Sequence, residues 1–162
     1  MDRFELIADL GITFAGFTGI FLVLARRSGR FSAREAMSIQ LIVIDSLFAA
    51  FLSLVPLGLA LFEVADSLIW RICSASYVAA AIPVYVYIER RFERIAKPER
   101  PAHMSIQYFF GKYSTILIAV AQIPNIVGWP YGPGPGTFFV GVAVALGLAA
   151  MVFVGFLFSR LL

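Results

Sequence analysis

The sequence has few of the residues that enzymes and metal sites use. Of its 162 residues, one is a cysteine, Cys73, and one is a histidine, His103. A single cysteine excludes a disulfide within the chain and any metal site made of several cysteines. His103 has no histidine or cysteine partner nearby, and no glycine-rich phosphate-binding motif followed by lysine is present. We therefore expect no enzymatic activity, no cofactor and no metal site, and we assign no catalytic residue.

Charged residues are also scarce, and apolar residues make up most of the chain. Charged residues make up 14% of the chain and hydrophobic residues 60%, with a mean hydropathy of +0.88, whereas soluble domains carry about 25% charged residues. The composition predicts an integral membrane protein with a single domain over residues 1–162. The net charge of +3 does not indicate a nucleic-acid partner, because the positive residues are concentrated in two loops beside apolar runs.

Five apolar runs are long enough to cross a bilayer, which takes about 20 mostly apolar residues. They lie at about 4–25, 36–62, 68–88, 109–127 and 137–158. The predicted fold class is all-α, a compact bundle of five transmembrane helices. The fourth run is the weakest because Gln122, Pro124 and Asn125 interrupt it, and if it does not cross, the count falls to four.

Arginine and lysine predict which way the helices cross. Positive residues collect in two loops at 26–35 and 89–108, while the opposite side carries the uncharged turn GWPYGPGPG. With five spans both basic loops fall on one side, which the positive-inside rule places in the cytoplasm. We therefore expect a bacterial inner-membrane protein with its N-terminus outside and its C-terminus inside. The loops also predict a site for anionic lipid or a cytoplasmic partner, formed by Arg26, Arg27, Arg30, Arg90, Arg91 and Arg94.

Small residues in the first and fifth runs predict close contacts between helices. Lipid tails are as apolar as leucine, so helices associate in membranes where small residues let their backbones approach. In the first run Gly11, Ala15 and Gly19 fall on one face, and Gly16 widens that face. The pattern leaves open whether the partner of this helix lies in the same chain or in a second copy. The predicted packing residues are Gly11, Ala15, Gly16, Gly19, Gly147 and Gly155.

Asp45 is an acidic residue deep in an apolar run. It stands about nine residues into the second run, or roughly 13 Å from its start at about 1.5 Å per residue. A carboxylate that faces lipid at that depth costs several kcal/mol, so Asp45 faces protein or water, or is protonated. It is either an ion or proton site, or a buried carboxylate that hydroxyl groups satisfy, such as those of Ser46, Thr18, Tyr85 and Tyr87.

Four further polar residues join Asp45 in a candidate ion pathway. Glu5 and Asp9 lie four residues apart on one face of the first helix, and in a ring of copies they form an acidic mouth of the kind that cation pathways use. Alternatively, Asp9 forms an ion pair with Arg71, which lies at similar depth in the third run. Gln122 and Asn125 bracket a proline, and they either line a polar cavity or hold helices together.

The size of the chain bears on its function. About 20 residues per span leave too little chain for a large internal transport cavity, whereas several copies around an axis easily enclose a pathway. The first hypothesis is therefore a homo-oligomeric channel for cations, with the first helix near the axis. The second is a non-conducting membrane subunit whose basic loops dock a partner or anionic lipid. The third is a small proton-coupled carrier that uses Asp45. Membrane lipids and further copies of the chain are the expected partners.

Overall fold

The computed structural model describes residues 2–26, 32–62, 64–94, 102–129 and 134–161. Every regular element in these ranges is an α-helix. The helices are α1 Asp2–Arg26, α2 Ala33–Ala60, α3 Asp66–Glu93, α4 Ala102–Val127 and α5 Gly134–Leu161. The prediction of an all-α bundle is confirmed, and each helix coincides with one of the predicted apolar runs, although α2 ends two residues before the end of its run.

Within the described ranges, three of the five helices are long and apolar enough to cross a membrane, judged by length and composition alone. These stretches are Glu35–Ala60, Asp66–Glu93 and Gly134–Phe158. Large apolar side chains also point outward, among them Phe51 and Leu61, which are 76% and 84% exposed. Such a surface is typical of a protein whose surroundings are lipid. Both features support a helical membrane protein, and the crossing of α1 and α4 stays a prediction.

Local sequence sets where the helices begin and end. Ser32 caps the start of α2: its hydroxyl accepts a hydrogen bond from the Glu35 amide at 3.2 Å, and the Glu35 carboxylate accepts one from the Ser32 amide at 2.9 Å. This reciprocal pair satisfies amides that the first helical turn leaves unbonded. Just after α4, Gly128 has a φ of +71°. Glycine adopts this conformation without steric cost, and it stops the helix.

Consecutive helices run in opposite directions. At one end of the bundle, the Phe92 ring near the end of α3 stacks on Tyr108 near the start of α4, with 3.8 Å between ring centroids. Met37, near the start of α2, belongs to the same cluster. We call this the basic end, because both predicted basic loops connect helices there. At the opposite end Phe4 of α1 meets Trp70 of α3 and Phe139 of α5.

Helix α5 lies in the middle of the bundle and contacts the other four helices. Helix α1 packs on α2 and α5, while α4 packs on α3 and α5, and α2 also contacts α3. The buried core includes Leu52 of α2, Tyr77 of α3 and Phe138 of α5. This arrangement leaves α2, α3, α4 and α5 around a common interior at the basic end, with α1 outside it.

Candidate functional site

A cavity of about 80 Å³ lies between α2, α3, α4 and α5. On α2 its lining runs from Ser38, near the basic end, to Phe48, near the middle of this 28-residue helix. A water molecule occupies about 30 Å³ in the liquid, so the cavity is large enough for a few waters or for a small solute. Helix α1 contributes none of the described lining residues.

Asp45 lies in the inner half of this cavity. Its side chain is partly buried, and Tyr77 of α3 lines the same cavity. Among the residues that the structure describes, none forms an ion pair or a hydrogen bond with the Asp45 carboxylate. The described lining residues from α5 are apolar: Val144, Ala145, Leu148 and Val152. Asp45 is therefore a carboxylate in a mostly apolar cavity without a counter-charge in the described part of the chain.

The four hydroxyls considered as partners for Asp45 lie elsewhere. The Thr18 hydroxyl donates to a carbonyl of its own helix at 2.7 Å, and Tyr87 is 47% exposed. Tyr85 interacts with a charged pair nearer the basic end. Ser46 is fully buried, and its hydroxyl has no hydrogen-bond partner among the described residues. The structure thus shows no hydroxyl that satisfies Asp45.

A charged pair stands at the mouth of the cavity. The Lys112 Nζ of α4 lies 3.1 Å from Oε1 of Glu89 on α3, and the Tyr108 hydroxyl donates a hydrogen bond to the other Glu89 oxygen. The same ammonium lies 5.7 Å from the ring centroid of Tyr85 and 5.8 Å from that of Tyr108. Burial, followed by the hydrogen bond to Glu89 and its charge, raises the pKa of Tyr108 to about 12. The Tyr108 hydroxyl therefore stays a proton donor at neutral pH.

Among the described lining residues, the titratable groups lie on three helices. They are Asp45 on α2, Tyr77, Tyr85 and Glu89 on α3, and Tyr108 and Lys112 on α4. The described lining residues of α5 are apolar. Because Lys112 is paired with Glu89, its charge is already balanced. The unbalanced charge in the cavity belongs to Asp45 when that group is ionised.

A second polar cluster lies one helical turn beyond the cavity, toward the opposite end. The Ser74 hydroxyl donates to the Gln122 side chain at 2.8 Å, and the Asn125 amide donates to Ser74 at 3.1 Å. Asn125 also exchanges two hydrogen bonds of 3.0 Å with the backbone of Gly134, and Gln122 donates to the carbonyl of Thr137 at 3.2 Å. We call Ser74, Gln122 and Asn125 the amide network.

The amide network joins three helices. Gln122 is fully buried and Asn125 is 6% exposed, and neither is among the residues that line the cavity. Their side chains connect α4 to α3 and to the start of α5. Of the two interpretations that the sequence left open for these amides, this geometry favours the one in which they hold helices together.

The acids of α1 lie away from the cavity. Glu5 and Asp9 are exposed on the outer face of this helix. Within the described ranges Asp9 and Arg71 form no ion pair. The Arg71 guanidinium instead lies against the backbone of Gly128, where a Cβ would collide with it. The structure therefore places Glu5 and Asp9 on a different surface from Asp45, and a single chain does not bring the three acids together.

The predicted packing glycines divide into two groups. A Cβ added at Gly11 would lie 2.6 Å from the Ser46 carbonyl oxygen, so α1 and α2 approach closely there. Gly16, Gly19 and Gly147 have open space at the same position. The two remaining members, Ala15 and Gly155, are partly buried. Gly11 is thus the predicted glycine with a demonstrated close contact inside the chain.

The basic loops fall largely outside the described residues. Arg27 and Arg30 are not described, and of Arg26 only the backbone is. Arg90 and Arg94 are exposed at the basic end, and Arg91 is partly buried. A site for anionic lipid or a cytoplasmic partner on these arginines stays a prediction.

Sequence reasoning missed several residues that the structure brings to the cavity or beside it. Glu89 and Lys112 are 23 residues apart in the chain, so no local pattern pairs them. Glu89 lies four residues before the end of α3 and Lys112 lies ten residues after the start of α4, so counting from the loop does not place them level either. Gly141 was also missed, although a Cβ there would lie 2.7 Å from Ile118 and 3.0 Å from the Tyr77 ring.

Comparison with known proteins supplies no function for this chain. No family model matches the sequence, and no curated protein and no solved structure matches it either. A function for the chain therefore rests on the chemistry of its own residues. The features that bear on it are the cavity with Asp45, the charged pair at the mouth and the amide network beyond.

Proposed function

We propose that this chain is a small proton-coupled membrane carrier in which Asp45 takes up and releases the transported proton. The observation that supports this most directly is the Asp45 carboxylate in an internal cavity, with no ion pair or hydrogen bond from the described residues. A buried carboxylate that serves only structure normally has such partners. A buried carboxylate that binds a mobile proton or cation must not have a permanent partner.

The chemistry of the cavity supports reversible loading of Asp45. An ionised carboxylate that is removed from water costs several kcal/mol unless it is paired. Uptake of a proton or a cation removes that cost, and the cavity provides room for the water that delivers it. The site is therefore more stable when Asp45 is loaded, and in this proposal the proton reaches it from the basic end, along the side of the cavity that Ser38 and Glu89 line.

Access from one end favours a carrier over an open pore. The cavity extends from the middle of α2 to the basic end, and the amide network fills the next turn of the bundle with hydrogen-bonded, buried side chains. A carrier needs one end closed while the other is open. In this proposal all five helices cross a bacterial inner membrane, the basic end faces the cytoplasm, and the amide network is the closed outer side.

The test is proton flux into liposomes that contain only the purified chain. Asp45→Asn keeps the size of the side chain and removes the proton-binding oxygen, so flux driven by a membrane potential should fall to that of empty liposomes. The matched control is Asp66→Asn, which makes the same change at an exposed acid at the start of α3 and should leave flux unchanged. Equal flux in wild type and Asp45→Asn, with both particles intact, contradicts the proposal.

A homo-oligomeric cation channel is a second candidate, because α1 presents polar and small residues outward. Glu5, Asp9 and Gly16 are exposed along one side of this helix, and Gly16 has open space beside it. Acids at such a depth are costly against lipid and favourable around a water-filled axis. If copies assemble there, Glu5→Gln with Asp9→Asn should lower cation flux while Asp45→Asn does not. The size of the purified particle separates the two functions further, since this channel requires several copies.

A further inference from the structure

The cavity contains the same combination of groups twice. At its mouth, the ammonium of Lys112 is surrounded by a carboxylate and two aromatic rings. Its Nζ lies 3.1 Å from a carboxylate oxygen of Glu89, 5.7 Å from the ring centroid of Tyr85 and 5.8 Å from that of Tyr108. A carboxylate and two aromatic faces are an effective receptor for an ammonium ion, because each ring presents a negative face to the cation. The chain thus shows one ammonium group bound in this way.

The inner half of the cavity repeats these groups without an ammonium. Asp45 and Phe48 lie three residues apart on one face of α2, and both line the cavity together with Tyr77 of α3. The Phe48 and Tyr77 rings contact each other edge to face, with 5.3 Å between centroids. Phe48 and Tyr77 are held by this contact and by the packing of Tyr77 against Gly141. The pair of rings is therefore held in the lining of the cavity that also contains the unpaired carboxylate.

From this repetition we infer that Asp45, Phe48 and Tyr77 form a binding site for a small organic ammonium ion, which is the substrate exchanged for the proton. The ammonium group lies at Asp45, and its carbon substituent lies against the two rings and the apolar side chains of α5. A cavity of about 80 Å³ favours a ligand of few non-hydrogen atoms, such as methylammonium or ethylammonium. This inference rests on the proposed role of Asp45 as the proton site.

The lining of the cavity suits an organic ammonium better than a metal ion. Calcium binds six to eight oxygen ligands and magnesium a near-ideal octahedral set. In the described part of the chain, no three His, Cys, Asp or Glu side chains come together as a metal site. Near Asp45, the lining contributed by α5 is apolar, from Val144, Ala145 and Leu148. An ammonium needs one carboxylate, and its remaining contacts can be aromatic or apolar.

Competition of the proton and the ammonium ion for the Asp45 carboxylate couples the transport of the two ions. The carboxylate carries one negative charge, so a bound proton removes the attraction for an ammonium ion, and a bound ammonium ion excludes the proton. The two cations therefore bind in alternation at the same oxygen atoms. Exchange follows when the loaded site is exposed first to one side of the membrane and then to the other. When no ammonium ion is present, the empty ionised site returns instead, and this cycle carries the potential-driven proton flux of liposomes that contain only the chain.

This site can be tested without any flux measurement. Equilibrium dialysis with labelled methylammonium measures how much of it binds to the purified chain in detergent. We expect saturable binding at neutral pH that is lost in Asp45→Asn and unchanged in Asp66→Asn. Phe48→Leu, which keeps an apolar side chain and removes one ring, should weaken binding about tenfold. An excess of potassium chloride should not displace the ligand.

Absence of saturable binding overturns the inference, as does equal binding in wild type and Asp45→Asn, or displacement by potassium. The outcome is separable from that of the proposed function. If methylammonium does not bind while proton flux still depends on Asp45, the ammonium site is wrong and the proton site stands. If methylammonium binds at Asp45 while the liposomes show no flux, the binding site stands and the carrier is wrong.

Discussion

The Lys112 ammonium lies 3.1 Å from the Glu89 carboxylate at the mouth of the cavity that also holds Asp45. One carboxylate of the cavity thus has a permanent cation, and the other has none among the described residues. The difference assigns different roles to two acids in one cavity. Glu89 joins α3 to α4 at the basic end, and Asp45 remains available to a mobile cation.

Removal of the lysine should leave an empty ammonium site at Glu89. In Lys112→Met the carboxylate, Tyr85 and Tyr108 remain, so the melting temperature should fall because Glu89 loses its counter-charge. Methylammonium should restore part of the loss, since it replaces the missing ammonium group. The measurement is a thermal unfolding curve with methylammonium chloride or with potassium chloride at equal ionic strength. Equal curves in the two salts would show that Glu89 and the rings do not bind an ammonium ion on their own.

The contact between α1 and α2 should make Gly11 more sensitive than its neighbouring glycines. In Gly11→Leu the new side chain has no room beside the Ser46 carbonyl and Ala50, and overpacking of this kind costs about 1–3 kcal/mol. Gly16→Leu is the matched control, because that position has open space within the chain. We expect a lower yield and a lower melting temperature for Gly11→Leu.

Gly16→Leu and Gly19→Leu also report on assembly. If a second copy packs on this face of α1, both variants should change the size of the purified particle while the single chain folds. Wild-type size and yield in both variants would show that the face meets lipid, and they would remove the support that α1 offers to an oligomeric channel.

Loss of one member of the amide network should leave its hydrogen-bond partners unsatisfied. In Gln122→Leu, the Ser74 hydroxyl loses its acceptor and the Thr137 carbonyl loses a donor. A buried polar group without a partner costs about 1–3 kcal/mol, and thermal unfolding measures the loss. The control is an apolar change nearby, Ile123→Leu, at a position that is 50% exposed. A Gln122→Leu protein as stable as Ile123→Leu would show that the network does not stabilise the bundle.

The topology has a direct test. The ends of α1, α3 and α5 lie at one end of the bundle with the starts of α2 and α4, so a reporter in the loop 96–103 and a reporter at the C-terminus should be found on the same, cytoplasmic side. A reporter at the N-terminus should be found outside. A C-terminal reporter on the outer side would mean that α4 does not cross.

Much of the fold could be predicted from the sequence, because the length of an apolar run is a property of one local segment. The five runs correspond to the five helices, and the central position of Asp45 in α2 follows from counting residues along one helix. The small residue Gly11 was also predicted to allow a close approach, and it lies against α2. Each of these conclusions depends on one segment of chain and on the physical demands of lipid.

The residues that make up the site could not be predicted from the sequence, because the set of lining residues depends on which helices pack against each other. The pairing of Glu89 with Lys112 joins two helices, and the amide network joins α3, α4 and the start of α5. The same limit applies to small residues. Gly16 and Gly141 look equivalent as glycines in apolar helices, yet Gly141 lies against Ile118 and Tyr77 while Gly16 has open space.

The central claim is that Asp45 carries the transported proton, and the most direct measurement is the rate of proton entry into liposomes that contain the purified Asp45→Asn chain. The account predicts a rate equal to that of protein-free liposomes, with the wild-type chain and Asp66→Asn both conducting and all three particles eluting at the same size. A rate for Asp45→Asn equal to that of the wild-type chain would contradict the account.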